Sequence, residues 1–187
     1  MDLGFLFSGN TKRDTFMKHR DAVIEIIRRI PVSPRNNKVG YVMPNIFQPL
    51  QSNENTVIEN LQTAKPPSTK VVDVKKTLDK SIELFQTKNG ARDGTKKVLI
   101  AFVDDEALNF DVSSITPTLQ ELVNQGVRVV LLQPPNSLTL NLLPKDVRDY
   151  IQRADMDSKN VKSILDTLLN QLNEGYYLLY QFTILFR

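Results

Sequence analysis

Asp2-Leu-Gly-Phe-Leu-Phe-Ser-Gly-Asn-Thr-Lys12 opens the chain with a short apolar run that ends abruptly in small polar residues. A similar run, Lys97-Val-Leu-Ile-Ala-Phe-Val-Asp-Asp105, ends in acidic residues. Apolar runs of this length, bounded by turn-forming residues, are typical of strands that are buried on both faces of a parallel sheet. Because open α/β sheets bind ligands at the carboxyl ends of their strands, we expect the functional edge of the sheet to follow these two runs.

Strand and helix periods alternate along the rest of the chain. Apolar runs at 38–43 and 127–132 predict two more buried strands, and Pro49 suits 46–50 to an edge strand. Thr116-Pro117 has the pattern of a helix start, and Gly126 of a helix stop. Helical spacing predicts helices over residues 15–30, around 57–61, over 71–85, from 117 to Gly126, over Pro144–Ala154 and from 157 or 158 to 172.

This alternation predicts a doubly wound α/β fold, with a mainly parallel sheet and helices on both faces. If the strands at 2–8 and 97–103 are neighbours, the polar residues that follow them share one edge of the sheet. We expect one domain over residues 1–173 and an apolar tail over 174–187.

Composition excludes several classes of function. The 187 residues include no cysteine, which rules out disulfides, thiol catalysis and thiolate metal sites. The net charge is only +3, and no arginine-rich or aromatic–basic tract indicates nucleic-acid binding. The apolar stretch at 176–186 is shorter than the roughly 20 residues that span a bilayer. No secretory signal precedes the first strand, so we expect a cytosolic chain or a fragment of a longer one.

Catalytic patterns are also missing. The chain has no Cys–His pair, no glycine-rich phosphate loop and no G-x-S-x-G elbow. His19, the only histidine, is predicted to lie on the surface of the first helix rather than to act as a base. Asp104 and Asp105 follow the end of their strand, whereas Asp2 stands at the start of its own. A metal-dependent hydrolase would need further carboxylates at the strand ends, and Asp2 does not supply one.

Several segments, in order, resemble the von Willebrand factor type A (VWA) domain, a Rossmann-like α/β module. The family's first strand has the pattern D-I-V-F-L-I-D-G-S-x-S, and Asp2 to Lys12 parallels it. The family's first helix, V-G-x-V strand, V-L-I-x-x-T-D-G strand and G-V-x-V strand correspond to residues 16–30, 39–42, 98–105 and 126–129. The resemblance covers roughly residues 2–172 and implies the VWA fold. The family's strand order, together with the buried apolar runs, implies that the strands at 2–8 and 97–103 are parallel neighbours, with the strand at 38–43 on the other side of the first.

The resemblance also implies a place for a metal. Family members often bind Mg²⁺ at a metal-ion-dependent adhesion site through oxygen ligands, with one position left for an acidic partner residue. Ser8 stands at the family's first Asp, Asn10 at its first Ser and Lys12 at its second Ser. Asp104 is retained, and Thr69 is the candidate for the threonine ligand. Because hard cations need anionic ligands, the set Ser8, Asn10 and Asp104 predicts a degenerate site without metal, with Mg²⁺ as the alternative cofactor.

The residues beside this set are the expected partner-binding rim. The rim consists of Thr11, Lys12, Asp105 and Glu106. An ammonium at Lys12 can take the electrostatic role of the missing cation by pairing with Asp104 or Asp105. The alternative is a solvated lysine and a loop carboxylate at Glu106, because exposed ion pairs contribute little.

The resemblance implies a non-enzymatic protein-binding or adhesion module. The expected setting is an extracellular or matrix protein, within a longer secreted chain, and the expected partner is a matrix or adhesion protein. One alternative is an intracellular, cytoplasmic VWA scaffold domain. Another is a hydrolase of a different doubly wound family that uses Asp104 and Asp105 at the strand end.

The last expectation concerns the sheet edge beside residues 127–132. The family has one more short strand between its last two helices, but residues 154–158 are short and polar. The sequence therefore predicts an edge without its usual partner, which is an aggregation liability. Residues 176–187 are rich in aromatic and β-branched residues, so this tail is either an added strand or the relic of a truncated chain.

Overall fold

The computed structural model describes residues 1–8, 13–66, 74–103, 112–133, 144–148 and 151–155, together with residues 163, 165–167 and 169–170. The described strands are β1 (Asp2–Phe7), β2 (Lys38–Met43), β3 (Ile46–Gln51), β4 (Lys97–Phe102), β5 (Val127–Gln133) and β6 (Ile151–Asp155). The described helices are α1 (Arg13–Arg29), α2 (Glu54–Thr63), α3 (Val74–Leu84), α4 (Val112–Asn124) and α5 (Lys145–Arg148).

These strands form one sheet with the order β3-β2-β1-β4-β5-β6. β1 pairs in parallel with β2 on one side and with β4 on the other, as the resemblance to the VWA family and the apolar runs imply. β3 is the antiparallel edge strand next to β2 and carries Pro49. The predicted mainly parallel, doubly wound sheet is therefore confirmed.

Two layers of helices cover the sheet. Alternate residues of β1, Leu3, Phe5 and Phe7, face α1 and α2, while Leu6 faces α3 and α4. Residues 163, 165–167 and 169–170 are helical, as expected for the final helix. Leu165 and Leu169 join the α1 side of the core. Burial on both faces explains why β1 is apolar from Leu3 to Phe7 instead of alternating with polar residues.

The sequence-based prediction of a helix over Pro144–Ala154 is wrong. α5 ends at Arg148, and Ile151–Asp155 forms β6, which pairs in parallel with β5 from Val129–Ile151 to Gln133–Asp155. The predicted unpaired edge beside β5 is wrong for the same reason. A buried β5 needs hydrogen-bond partners along its edge, and that long-range requirement outweighs the local helical pattern. The tail at 176–187 lies outside the described residues.

The predicted start of α4 at Thr116-Pro117 is also wrong, because α4 begins at Val112 and contains Pro117. Pro117 is the sixth residue of α4, so it removes the hydrogen bond that its N–H would donate one turn back and its ring crowds that carbonyl, which costs stability. Burial of Ile115 and Leu119 against the α3 side of the core favours the longer helix. The predicted stop is confirmed, since Gly126 adopts φ 73° just after the helix, where glycine is strain-free.

A buried ion pair holds the amino edge of the sheet. The Asp2 carboxylate is fully buried and accepts hydrogen bonds from Arg92 Nε at 2.9 Å and Nη2 at 2.7 Å. The Arg92 backbone N–H adds a third bond at 2.7 Å. The same guanidinium donates to the carbonyls of Met1, Pro34 and Asn36. Arg92 thus joins the start of β1 to the segments before β2 and β4.

We expect Asp2→Ala to lower the free energy of unfolding by about 3 kcal/mol, because the variant leaves a largely buried guanidinium without its counter-charge. Urea unfolding measures the loss. The matched control is Asp21→Ala, which removes a carboxylate that is 62% exposed and lies 2.7 Å from Arg20. That variant should lose less than about 1 kcal/mol. Equal losses in the two variants would contradict the structural role of the Asp2–Arg92 pair.

Candidate functional site

The candidate site lies at the carboxyl edge of the sheet, where β1 and β4 end side by side. Phe7 pairs with Phe102, and the Ser8 N–H donates to the Phe102 carbonyl at 3.1 Å. The Val103 N–H donates to the Leu132 carbonyl at 2.8 Å and so ties β4 to β5 at the same edge. These bonds fix the starting points of both predicted site loops. The strand ends are neighbours, as predicted.

Ser8 is the one predicted metal-site residue that the structure describes. It is fully buried and sits between β1 and the loop that follows. A serine hydroxyl is a neutral ligand, whereas the aspartate expected at this position of the family carries a full negative charge. The carboxyl end of β1 therefore brings no charge of its own to the edge.

The other predicted site residues lie outside the described residues. They are Asn10, Thr11, Lys12, Thr69, Asp104, Asp105 and Glu106. Among the described residues, which exclude Asp104, no three His, Cys, Asp or Glu side chains cluster in a way that could hold a metal ion. The composition of the site remains a prediction.

The predicted surface position of His19 is wrong. His19 is 1% exposed, and its ring stacks on Phe102 with centroids 4.7 Å apart. Phe102 also stacks on Phe7 at 5.2 Å, and Phe7 contacts Phe16 at 5.7 Å. The sequence did contain the signal, because position 19 falls on the same helical face as Phe16 and Val23. The prediction was wrong because it followed the polar character of histidine instead of the helical spacing.

Burial sets the charge state of His19. Removal from water, and to a smaller extent the nearby charge of Lys18, lowers its pKa to about 4. Its Nε2 atom has no hydrogen-bond partner among the described residues. The imidazole is therefore neutral at physiological pH and packs as an aromatic ring under the carboxyl edge. A base at this position would be shielded from any substrate at the edge.

Comparison with known proteins assigns the fold. A family model described as the von Willebrand factor type A domain matches residues 7–142. The chain belongs to the von Willebrand factor type A family. No curated protein sequence matches it significantly. Within the described part of the chain, no helix is long and apolar enough to cross a membrane.

Solved structures give the same fold at low sequence identity. Proximal thread matrix protein 1 from the mussel byssus matches with a TM-score of 0.71 and 12% identity, over 91% of this chain and 46% of that one. The BatB protein of Bacteroides thetaiotaomicron matches with a TM-score of 0.63 and 12% identity, over 92% and 99% of the two chains. This chain therefore spans about half the length of the mussel protein.

Two of the similar structures contain metal. One form of the mussel protein, with 12% identity and a TM-score of 0.67, has zinc in its MIDAS motif, the metal-ion-dependent adhesion site. The Plasmodium vivax TRAP protein, manganese-loaded, matches with a TM-score of 0.58 and 12% identity over 88% of this chain and 71% of its own. At this identity the likeness establishes the shared fold. Metal binding by this VWA domain depends on its own residues.

His19 makes stability depend on pH. The unfolded histidine titrates near its ordinary pKa of about 6.5, so the unfolded chain binds the extra proton as the pH falls below that value. The folded state resists protonation down to about pH 4. We expect the wild-type free energy of unfolding to fall by about 2 kcal/mol more than that of His19→Phe between pH 7.5 and pH 5.

Urea unfolding of both proteins at these two pH values measures the difference. His19→Phe removes the only imidazole of the chain, so carboxylate titration is common to both proteins and cancels. Because Nε2 has no partner, the apolar replacement should not destabilise the protein at pH 7.5. Parallel pH profiles for the two proteins would contradict a buried, neutral His19.

Proposed function

We propose that this VWA domain is a non-enzymatic protein-binding module that recognises its partner at the carboxyl edge without a metal ion. The observation that carries the proposal is the buried, neutral Ser8 at the end of β1. A divalent cation at this edge needs anionic oxygen ligands to offset its charge. Ser8 offers only a neutral hydroxyl at this position, and the hydrogen bond from its N–H to the Phe102 carbonyl fixes its backbone there.

The fit of the residues to a cation is poor. The family's pattern would draw a hydroxyl from Ser8, an amide oxygen from Asn10 and a carboxylate from Asp104. Two of these three donors are neutral, and Lys12 adds a positive charge beside them. Mg²⁺ prefers carboxylate and water oxygens in a near-octahedral arrangement, and a single carboxylate leaves most of its charge uncompensated. We therefore propose that the site is degenerate.

In place of the cation, we propose that Lys12 supplies the positive charge. Its ammonium pairs with Asp104 or Asp105, and Thr11 and Glu106 complete the rim that contacts the partner. An ammonium is a mobile point charge that the partner's acidic groups can approach directly. Loops at the ends of a rigid sheet are common binding surfaces, because the strands hold their ends in place.

The proposed setting is a longer, secreted chain in which this domain binds a matrix or adhesion protein. The VWA fold is found in a byssal matrix protein, and this chain spans 46% of that protein. An intracellular scaffold role is the alternative setting, and it uses the same metal-free edge. The sequence of any flanking segments of the full-length protein distinguishes the two.

Restoring the family's ligands should create metal binding. In the triple variant Ser8→Asp, Asn10→Ser, Lys12→Ser, we expect 1 mM Mg²⁺, about 100 times a Kd of 10 μM, to stabilise the fold by about 2.7 kcal/mol, because a ligand that binds only the native state raises its stability. Thermal melting and calorimetry measure the gain. The wild-type domain is the control and should show no gain. A wild-type domain that itself gains several degrees in Mg²⁺ would contradict the proposed degenerate site.

Partner recognition should depend on the edge but not on metal. Peptide-display selection against the domain in the presence of EDTA should enrich ligands whose binding falls at least about tenfold with Lys12→Glu, because reversing the charge replaces attraction with repulsion. Lys88→Glu is the matched control, since Lys88 is exposed and lies in the segment between α3 and β4. Binding that vanishes in EDTA, or that both variants weaken equally, would contradict the proposal. Turnover of ester or phosphate substrates would contradict its non-enzymatic part.

A further inference from the structure

A cavity of about 510 Å³ lies between α2 and the antiparallel pair β2–β3. Tyr41 pairs directly with Gln48, and Met43 with Ile46, so these four side chains share one face of the sheet. The opposite wall is formed by Asn60 and Thr63 of α2 and by Ala64 directly after it. Their spacing of three and four residues places them on one helix face. The volume is within the range of small-molecule sites.

The cavity opens at the carboxyl edge of the sheet. β2 runs parallel to β1 and ends at Met43, and the turn residue Asn45 lines the cavity just beyond it. Lys65 and Pro66 follow the carboxyl end of α2 and line the same opening. The predicted rim residues belong to other segments of the chain, which follow β1 and β4 in the sequence.

The hydrogen bonds among the described residues leave the Tyr41 hydroxyl available as a donor to a ligand. Asn60 Nδ2 donates to Gln48 Oε1 at 2.7 Å, which fixes both amides across the gap between helix and sheet. Tyr41 is 1% exposed, and its hydroxyl makes no hydrogen bond with another described residue. Burial raises the pKa of Tyr41 to about 12, so the hydroxyl keeps its proton and can donate it.

The charge of the lining is one-sided. Lys65 is exposed at the mouth and forms no ion pair with a described residue, and none of the described residues that line the cavity is acidic. Met43, Ile46 and Ala64 supply apolar surface between the mouth and the buried tyrosine. A ligand that suits this lining carries a negative charge at one end, an apolar body and a hydrogen-bond acceptor at the other end.

We propose that this cavity binds a small organic carboxylate whose body is aromatic or aliphatic and whose far end carries a hydroxyl or carbonyl oxygen. The carboxylate faces Lys65 at the mouth, the body lies on Met43 and Ile46, and the far oxygen accepts a hydrogen bond from Tyr41. This binding activity goes beyond the proposed protein-binding function and does not depend on it.

The test uses 4-hydroxyphenylacetate as the probe, titrated into the full chain labelled with ¹⁵N. We expect saturable shifts of the Asn60 and Gln48 side-chain amides. The neutral analogue 4-hydroxyphenylacetamide should bind about threefold to fivefold more weakly, because it lacks the charge that faces Lys65. Phenylacetate, which lacks the far oxygen, should also bind about fivefold more weakly.

Two variants separate the contacts. Lys65→Gln should abolish the preference for the acid over the amide, whereas the control Lys88→Gln should keep it. Tyr41→Phe should abolish the preference for 4-hydroxyphenylacetate over phenylacetate. Because the hydroxyl makes no hydrogen bond with another described residue, Tyr41→Phe should melt close to the wild-type temperature, and amide spectra of each variant confirm its fold.

The proposal is overturned if the probe causes no saturable shift at Asn60 and Gln48, or if wild-type protein binds the acid and the amide equally. It is also overturned if Lys65→Gln and Lys88→Gln behave alike. Loss of partner binding in the display experiment leaves these titrations unaffected, so the two proposals fail separately.

Discussion

The central constraint of this structure is the burial of β1 on both edges and both faces. Every residue of β1 is buried, and its backbone is paired with β2 on one side and with β4 on the other. No position of such a strand can shift without moving apolar side chains of both helical layers. At its start, the buried Asp2 carboxylate is held by Arg92. At its end, the Ser8 N–H is held by Phe102. These two contacts fix the position of β1, and the end of β1 fixes where the candidate site begins.

The sequence predicts the interior strands of the sheet because strands that are buried on both faces have continuous apolar runs. β1, β2, β4 and β5 all follow such runs, and the positions of β2 and β4 on either side of β1 follow from the resemblance to the VWA family. The edge strand β6 is not predicted, since Ile151–Asp155 becomes a strand only by pairing with β5. Local periodicity does not contain that information. Pro117 misleads for a related reason, because tertiary burial extends α4 past a residue that usually marks a helix start.

The candidate site is predicted only as far as strand ends are predicted. Placing Ser8 beside the end of β4 follows from two runs in parallel neighbours, and the structure confirms it. The positions of Lys12 and Asp104 depend on loops, where sequence patterns carry little geometric information. His19 shows a different failure, since its helical spacing indicates a core position while its chemistry suggests a surface one. The cavity under α2 depends on how α2 packs over the paired residues of β2 and β3, and the sequence pattern of these elements does not predict that packing.

Two described groups at the carboxyl ends of β1 and β4 are neutral. Ser8 has no charge, and the buried His19 stays neutral at physiological pH because desolvation opposes its protonation. The VWA structures that contain zinc or manganese show that the fold itself accommodates a cation. The difference proposed for this chain therefore lies in its loop residues and not in its scaffold.

The most direct test of this account is a crystal structure of the wild-type domain grown in millimolar Mg²⁺, refined against data that resolve the loops after β1 and β4. The account predicts no cation at this edge, and an ammonium of Lys12 within hydrogen-bond distance of the carboxylate of Asp104 or Asp105. A six-coordinate cation bound by Ser8, Asn10 and Asp104 would contradict it.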